Sequence, residues 1–214
     1  MKPPVFEPPP VYGRAILELL DLTMLRDSDV GYAPYVGAST TPFAGVTLMD
    51  SATGTNYAIG TLLPIRATIG ETVFDFWSGP TAYFDVVNTL RVKLYSGELA
   101  SLDEATILSG GANALAIRNA DGDWEILQFA TATLVDTGVY DLTNLLRGRL
   151  GTEHAMRSPV AVGAWVVILD GSIAQIDAAL SERGVQRFYK WRPSSLDPSD
   201  IAWQQDTFTA VASA

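Results

Sequence analysis

Between Pro34 and Tyr95 short apolar runs alternate with turn formers, and this punctuation narrows the possible folds more than any other feature of the chain. The runs "PYVGAS", "AGVTLMDSATGTNYAIGTLL", "IRATIGETVF" and "TAYFDVVNTLRVKLYSG" are rich in β-branched and aromatic residues and are cut by Gly, Pro, Asn and Ser. That pattern indicates short antiparallel strands. Within it, "MDSATGTNY" reads as a hairpin loop in which Gly54 supplies a positive φ.

The flanking segments extend the same reading. "RAILELLDLTML" mixes helical and alternating periodicity and is read as extended. "NALAIRNADGDWEILQFATATLVDTGVYDLTNLL" reads as strand, Asp-Gly turn, two strands, Asp-Thr-Gly turn and strand. "VAVGAWVVILDG" has the continuous apolar character of a strand buried on both faces. "VQRFYKW" carries aromatic or long side chains on both faces, and "DIAWQQDTFTAVASA" reads as a closing strand. One helix is signalled in "SLDEATILSGG", where Ser101 and Glu104 form a capping box and Gly110 or Gly111 ends the helix in the left-handed conformation. The expected fold is therefore mainly β, an antiparallel sandwich or barrel-like domain with one or two short helices. Residues 1–14, with five prolines in the first ten, form a proline-rich linker arm. The remainder divides near residue 100 into β subdomains 15–100 and 101–214 packed on each other, with the helix at the join, or forms a single domain 15–214.

Composition removes several classes of function. In 214 residues there are 14 Lys and Arg against 24 Asp and Glu, a net charge of −10, with no basic run to follow a phosphate backbone; nucleic acid is not expected as a partner. No apolar stretch reaches the roughly 20 residues of a membrane span, so the chain reads as soluble. Without cysteine there are no disulfides, thiol nucleophiles or Cys-based zinc sites. No phosphate-cradling glycine loop occurs, and no cofactor or metal is expected.

Some residue groups could still carry chemistry. His154 is the single histidine, and a catalytic reading joins it to Ser158 and Asp170, although no G-x-S-x-G elbow accompanies them. Asp121, Asp123 and Glu125 could supply the carboxylate pair of a glycosidase, but "NADGD" is also what a hairpin turn requires. Asp27 and Asp29 open like a calcium loop that lacks the glutamate at its twelfth position. Among five tryptophans and eight tyrosines, Trp77, Tyr83 and Trp124 are candidates for an exposed sugar-stacking row. In "YDLTNLLRGRLGTEHAM", Arg147 and Arg149 flank Gly148, which lets the backbone turn sharply, and a second turn follows at Gly151-Thr152. The guanidiniums are expected to bridge to backbone carbonyls or to Glu153, making this a structural corner.

The same residues carry a resemblance. Leu146, Arg147, Gly148, Arg149, Gly151, Thr152 and Glu153 fall on a Leu-Leu-Arg-Gly-Arg-x-Gly-Thr-Glu signature. That signature resembles one near the C-terminus of the large tail-tip or baseplate hub proteins of gene transfer agents and related long-tailed phages. "ATIGETVFDFWSGPTAYFD" and "VKLYSGELASLDEATILSGGANALAI" are similar to earlier parts of that family in the same order, so the likeness spans most of residues 15–195. It implies a fibre-binding, host-specificity domain: a structural component of the virion at the tail tip, assembled in the bacterial cytoplasm, that attaches a tail fibre or receptor-binding protein. The remaining hub modules are implied partners, the proline arm a linker from them, and trimeric symmetry in the assembled tail is implied even where the isolated piece is a monomer. Any hydrolase activity would belong to a TIM-barrel-like module not contained here, so this chain is expected not to be an enzyme. The alternative expectation is a carbohydrate-binding module that contacts a cell-surface glycan directly.

Overall fold

The computed structural model describes residues 13–195 and 203–211. Most of the proline arm, residues 1–12, lies outside them. Thirteen strands follow in chain order: β1 (Ile16–Leu20), β2 (Tyr35–Ser39), β3 (Val46–Ser51), β4 (Ala58–Leu63), β5 (Ile69–Thr72), β6 (Leu90–Leu94) and β7 (Ala114–Arg118), then β8 (Trp124–Asp136), β9 (Val139–Arg149), β10 (Trp165–Ile168), β11 (Ala174–Gln175), β12 (Gln186–Pro193) and β13 (Gln204–Thr209). Helix α1 (Glu104–Ser109) and two 3-10 turns at Thr152–Ala155 and Leu180–Glu182 complete the set among the described residues. The mainly β expectation holds. β3, the loop containing Gly54 at φ 75° and β4 form the foreseen hairpin.

Three sheets share this material. A closed antiparallel barrel runs in the order β10-β5-β6-β9-β8-β7, a three-stranded sheet is ordered β1-β2-β11, and a four-stranded sheet is ordered β13-β12-β3-β4. Each sheet draws strands from both sides of residue 100. Closing the barrel removes its free edges.

The side-chain period of two sorts the apolar residues into layers. Leu115, Ile117, Leu127, Val166 and Ile168 belong to the core within the barrel, with Val92, Phe129 and Leu142. Their alternates Ala116, Ile126 and Val167 belong to a second core with Leu20, Tyr35 and Ile173, between the barrel wall and the three-stranded sheet. The opposite face of that sheet, through Leu17, Leu19, Val36 and Ala38, meets Val46, Leu48, Tyr189 and Trp191 of the four-stranded sheet in a third. β2 is therefore buried at every position, and a Cβ at Gly37 would lie 2.7 Å from the Ile173 side chain. The continuous apolar run at β10 has the same cause, since one face fills the barrel and the other the second core.

Two local expectations are corrected. The capping residue of α1 is Asp103, whose Oδ1 accepts from the Thr106 amide at 2.9 Å, and not Ser101. Ser101 Oγ is instead engaged with the backbone of Ala132. Gly110 ends the helix in extended backbone, φ −157°, rather than in the left-handed region. The two strands expected between the Asp-Gly and Asp-Thr-Gly turns are one strand, β8, thirteen residues long, because the β-branched "ATATLV" offers no turn former to interrupt it.

Candidate functional site

The arginine signature occupies the end of β9 and the turn after it, and the sheet register decides what each of its residues touches. Pairing of β8 with β9 shifts by one residue between Ile126 and Gln128, opposite Gly148 at φ 57°. This is a bulge, which re-aims side chains within the strand, and not the sharp turn expected at Gly148. Only glycine suits the position, because a Cβ there would sit 2.9 Å from that of Glu153.

Glu125 and Arg147 continue the inward-facing series of Leu127, Phe129 and Leu145 at one end of the barrel, and each is 1 % exposed. Arg147 Nε donates to Glu125 Oε1 at 2.7 Å and Nη2 donates to Glu125 Oε2 at 2.8 Å. The Gly148 amide donates to the same carboxylate at 3.2 Å. Nη1 reaches up to the Trp77 carbonyl at 2.9 Å and lies 3.9 Å from Asp85 Oδ2, while the guanidinium stacks over the Phe76 ring at 4.0 Å. The expected carbonyl bridge is present; the carboxylate partner is Glu125 and not Glu153, which is exposed. A dry charge of this kind is tolerable only when its donors are matched, as here by a two-pronged carboxylate, a carbonyl and a ring face.

What Arg147 holds from below is the long connection of residues 73–89 between β5 and β6. This loop is stapled at two points, by the reciprocal backbone pair Phe76–Val160 at 2.8 and 2.7 Å and by Asp85–Leu145 at 2.7 and 3.1 Å. Asp85, 1 % exposed, accepts from the Val87 and Asn88 amides and from Asn88 Nδ2. Burial pushes its carboxyl up, but those hydrogen bonds and the Arg147 charge outweigh it and hold the group below the usual aspartate value. Above this base the loop presents Phe74, Trp77, Tyr83, Val86 and Val87, each between 54 and 86 % exposed.

Leu146, Gly151 and Thr152 brace the corner, and Arg149 is held through one nitrogen. Leu146 packs with Ile107 of α1 and Ala130. Among the described residues Arg149 meets neither expected partner, a backbone carbonyl or Glu153: its Nε donates to Gln128 Oε1 at 3.1 Å, and Gln128 Nε2 donates to the carbonyls of Ile107, Gly110 and Ala112. Gly151, at φ 79°, opens the 3-10 turn as expected, and Thr152 Oγ1 accepts from the Ile126 amide and donates to the Arg149 carbonyl, both at 2.8 Å.

The other candidates are dispersed. Of the aromatic row, Trp77 and Tyr83 are exposed on the loop, whereas Trp124 is buried in the second core because it opens β8 on the face that meets the three-stranded sheet. Glu125 separates from Asp121 and Asp123: it is in the strand, while they sit in the β7–β8 turn. Asn119 Oδ1 accepts both of their amides, and Arg157 Nη2 pairs with both carboxylates, at 2.8 and 3.5 Å. The structure does bring His154, Asp121, Asp123 and Trp124 to one groove of about 210 Å³. His154 Nδ1 lies 3.1 Å from the Gly151 carbonyl, Ser158 Oγ accepts from Ser78 Oγ, and Asp170 accepts from Ser172, so the catalytic trio is engaged separately. Asp29 accepts from the Tyr35 hydroxyl at 2.7 Å, and burial together with that bond pushes the Tyr35 phenol up to about 12. Among the described residues no helix is long and apolar enough to cross a membrane, and no group of three or more acidic or histidine side chains could hold a metal ion.

The fold is thus that of an antiparallel β-barrel protein, with a stapled apolar loop held over one end by a buried arginine. Residues 67–167 match the family model described as Rcc01698-like, C-terminal, a family name associated with gene-transfer-agent-like proteins. The match begins at the approach to β5 and ends in β10, so it covers the barrel, the stapled loop and the arginine signature. Comparison with curated proteins found no match.

Proposed function

We propose that the chain is a structural component at the tip of a phage-like tail, in the virion, that attaches a tail fibre or receptor-binding protein to the baseplate hub. It acts by binding and not by catalysis. The observation that carries this reading is the 73–89 loop: five large apolar side chains are held out in water on a base fixed by Arg147 and Asp85. Exposed apolar residues on a rigid base suit a protein partner, because little ordering entropy is lost when they are covered. The match of the barrel to a family associated with gene transfer agents supports the tail context. Repetition of the site around a threefold tail axis would multiply a modest affinity.

Direct binding of a surface glycan is the second reading, favoured by Trp77 and Tyr83 being exposed on one loop. A sugar site needs polar side chains beside its rings, and Val86 and Val87 are the more exposed members of this loop, which favours a protein. The test is a photo-crosslinking residue at position 83 in purified particles. A cross-link to a fibre protein is expected; absence of the chain from particles, or capture by glycan arrays with no fibre cross-link, overturns the proposal.

A further inference from the structure

We propose a second binding site, beside α1, for a segment of a partner protein that carries an aspartate or glutamate next to an aliphatic residue. The inference does not depend on the tail-tip reading.

The site is a groove of about 380 Å³ between the end of α1 and the end of β9, lined by Leu25, Leu108, Gly111, Gln128, Arg149 and Leu150. Arg149 is half-buried, and its Nε is held by Gln128, itself 3 % exposed and locked by three helix-end carbonyls. Nη1 and Nη2 of Arg149 have no hydrogen-bond or ion-pair partner among the described residues. A guanidinium aimed from its Nε side, with its outer donors open, is arranged to accept a carboxylate. In a chain of net charge −10, Arg91, Arg147, Arg157 and Arg187 are paired with acids, whereas Arg149 has no acidic partner among the described residues.

The surroundings define the rest of the ligand. Leu108 and Leu150 are 63 and 55 % exposed, so the groove covers an apolar group from one side and leaves the other open. A small molecule ordinarily needs most of its surface enclosed, whereas a peptide lying across a groove does not. Leu150 also holds φ 55°, a left-handed conformation that is costly for leucine and that glycine would adopt freely. An exposed leucine kept in a strained conformation at the rim is explained by what it covers when the groove is filled.

The test uses the whole chain and two blocked peptides, acetyl-Leu-Glu-Leu-Ala-amide and its Leu-Gln-Leu twin, followed by amide NMR shifts. The glutamate peptide is expected to bind roughly tenfold or more tightly than the glutamine one, as a charged hydrogen bond requires, with shifts centred on residues 108–111 and 149–150. Arg149→Gln should make the two peptides equal. Leu150→Gly should weaken both while leaving the melting temperature unchanged or higher, which separates a binding role from a structural one. Equal binding of the two peptides to the unaltered chain, shifts centred elsewhere, or retention of peptide binding in Leu150→Gly overturns the proposal.

Discussion

Arg147 and Glu125, 22 residues apart in sequence, meet inside the barrel as a two-pronged pair at 2.7 and 2.8 Å, and the same guanidinium carries the Trp77 carbonyl of the loop above. The residue that most marks the signature is therefore a clamp between the barrel wall and its exposed loop.

Removing one member leaves the other charged and dry. Arg147→Met or Glu125→Leu alone should each cost about 3–5 kcal/mol in urea unfolding, whereas the double variant should cost clearly less than the sum of the two. Additive losses would show that the two groups do not act as a pair.

Gly148 is required by both its backbone angle and its neighbour. Gly148→Ala should destabilise by about 1–3 kcal/mol, while Gly163→Ala, also at positive φ but with open space around it, should cost less. Equal losses in the two melting curves would remove the contact with Glu153 from the explanation.

Glu18 sits on β1, 8 % exposed, and burial pushes its carboxyl up to about 7; Arg118, 3.8 Å away, opposes this and Asp206 adds to it. An unfolded glutamate has lost its proton near 4.5. Between those values the folded chain binds the extra proton, so stability falls as pH rises through the window and levels off above it. Glu18→Gln should abolish that slope and make the protein more stable by roughly 1–3 kcal/mol above pH 7. Unfolding curves at pH 5 and pH 8 test it, and an unchanged slope in the variant would reassign the titration.

Asp85 has the opposite sign. Its folded value lies below 3.8, so its contribution is present above that pH and disappears as pH falls through the folded value. Amide exchange at Val87 and Asn88 should be slow near neutrality and accelerate, beyond the intrinsic trend, once Asp85 protonates. Asp85→Ala should expose both amides at every pH while the barrel amides stay protected.

The corrected cap is tested by local helix stability. Asp103→Ala should cost about 1 kcal/mol and fray α1, read from the exchange of Thr106 and Ile107 amides. Ser101→Ala should leave those amides unchanged and loosen Ala132 instead.

Much of the architecture was readable from local pattern. Turn formers between β-branched runs gave the strand-rich fold, Gly54 gave its hairpin, and the apolar run at 160–169 identified a doubly buried strand. These features are legible because strand alternation and positive φ are properties of a few consecutive residues. The capping residue of α1 is not legible in the same way, because Ser101 and Asp103 both suit the role and the choice depends on the pull of Ala132 from another strand.

What the sequence by itself determined is a β-rich chain, low in basic charge, with two arginines flanking a glycine. Tertiary structure alone decided that Arg147 pairs with Glu125, that Trp124 goes inside while Trp77 stays out, and that Arg149 keeps an open face. Those outcomes follow from barrel closure and a one-residue bulge at Gly148. Register between strands far apart in sequence selects partners and faces, and no local periodicity carries that information.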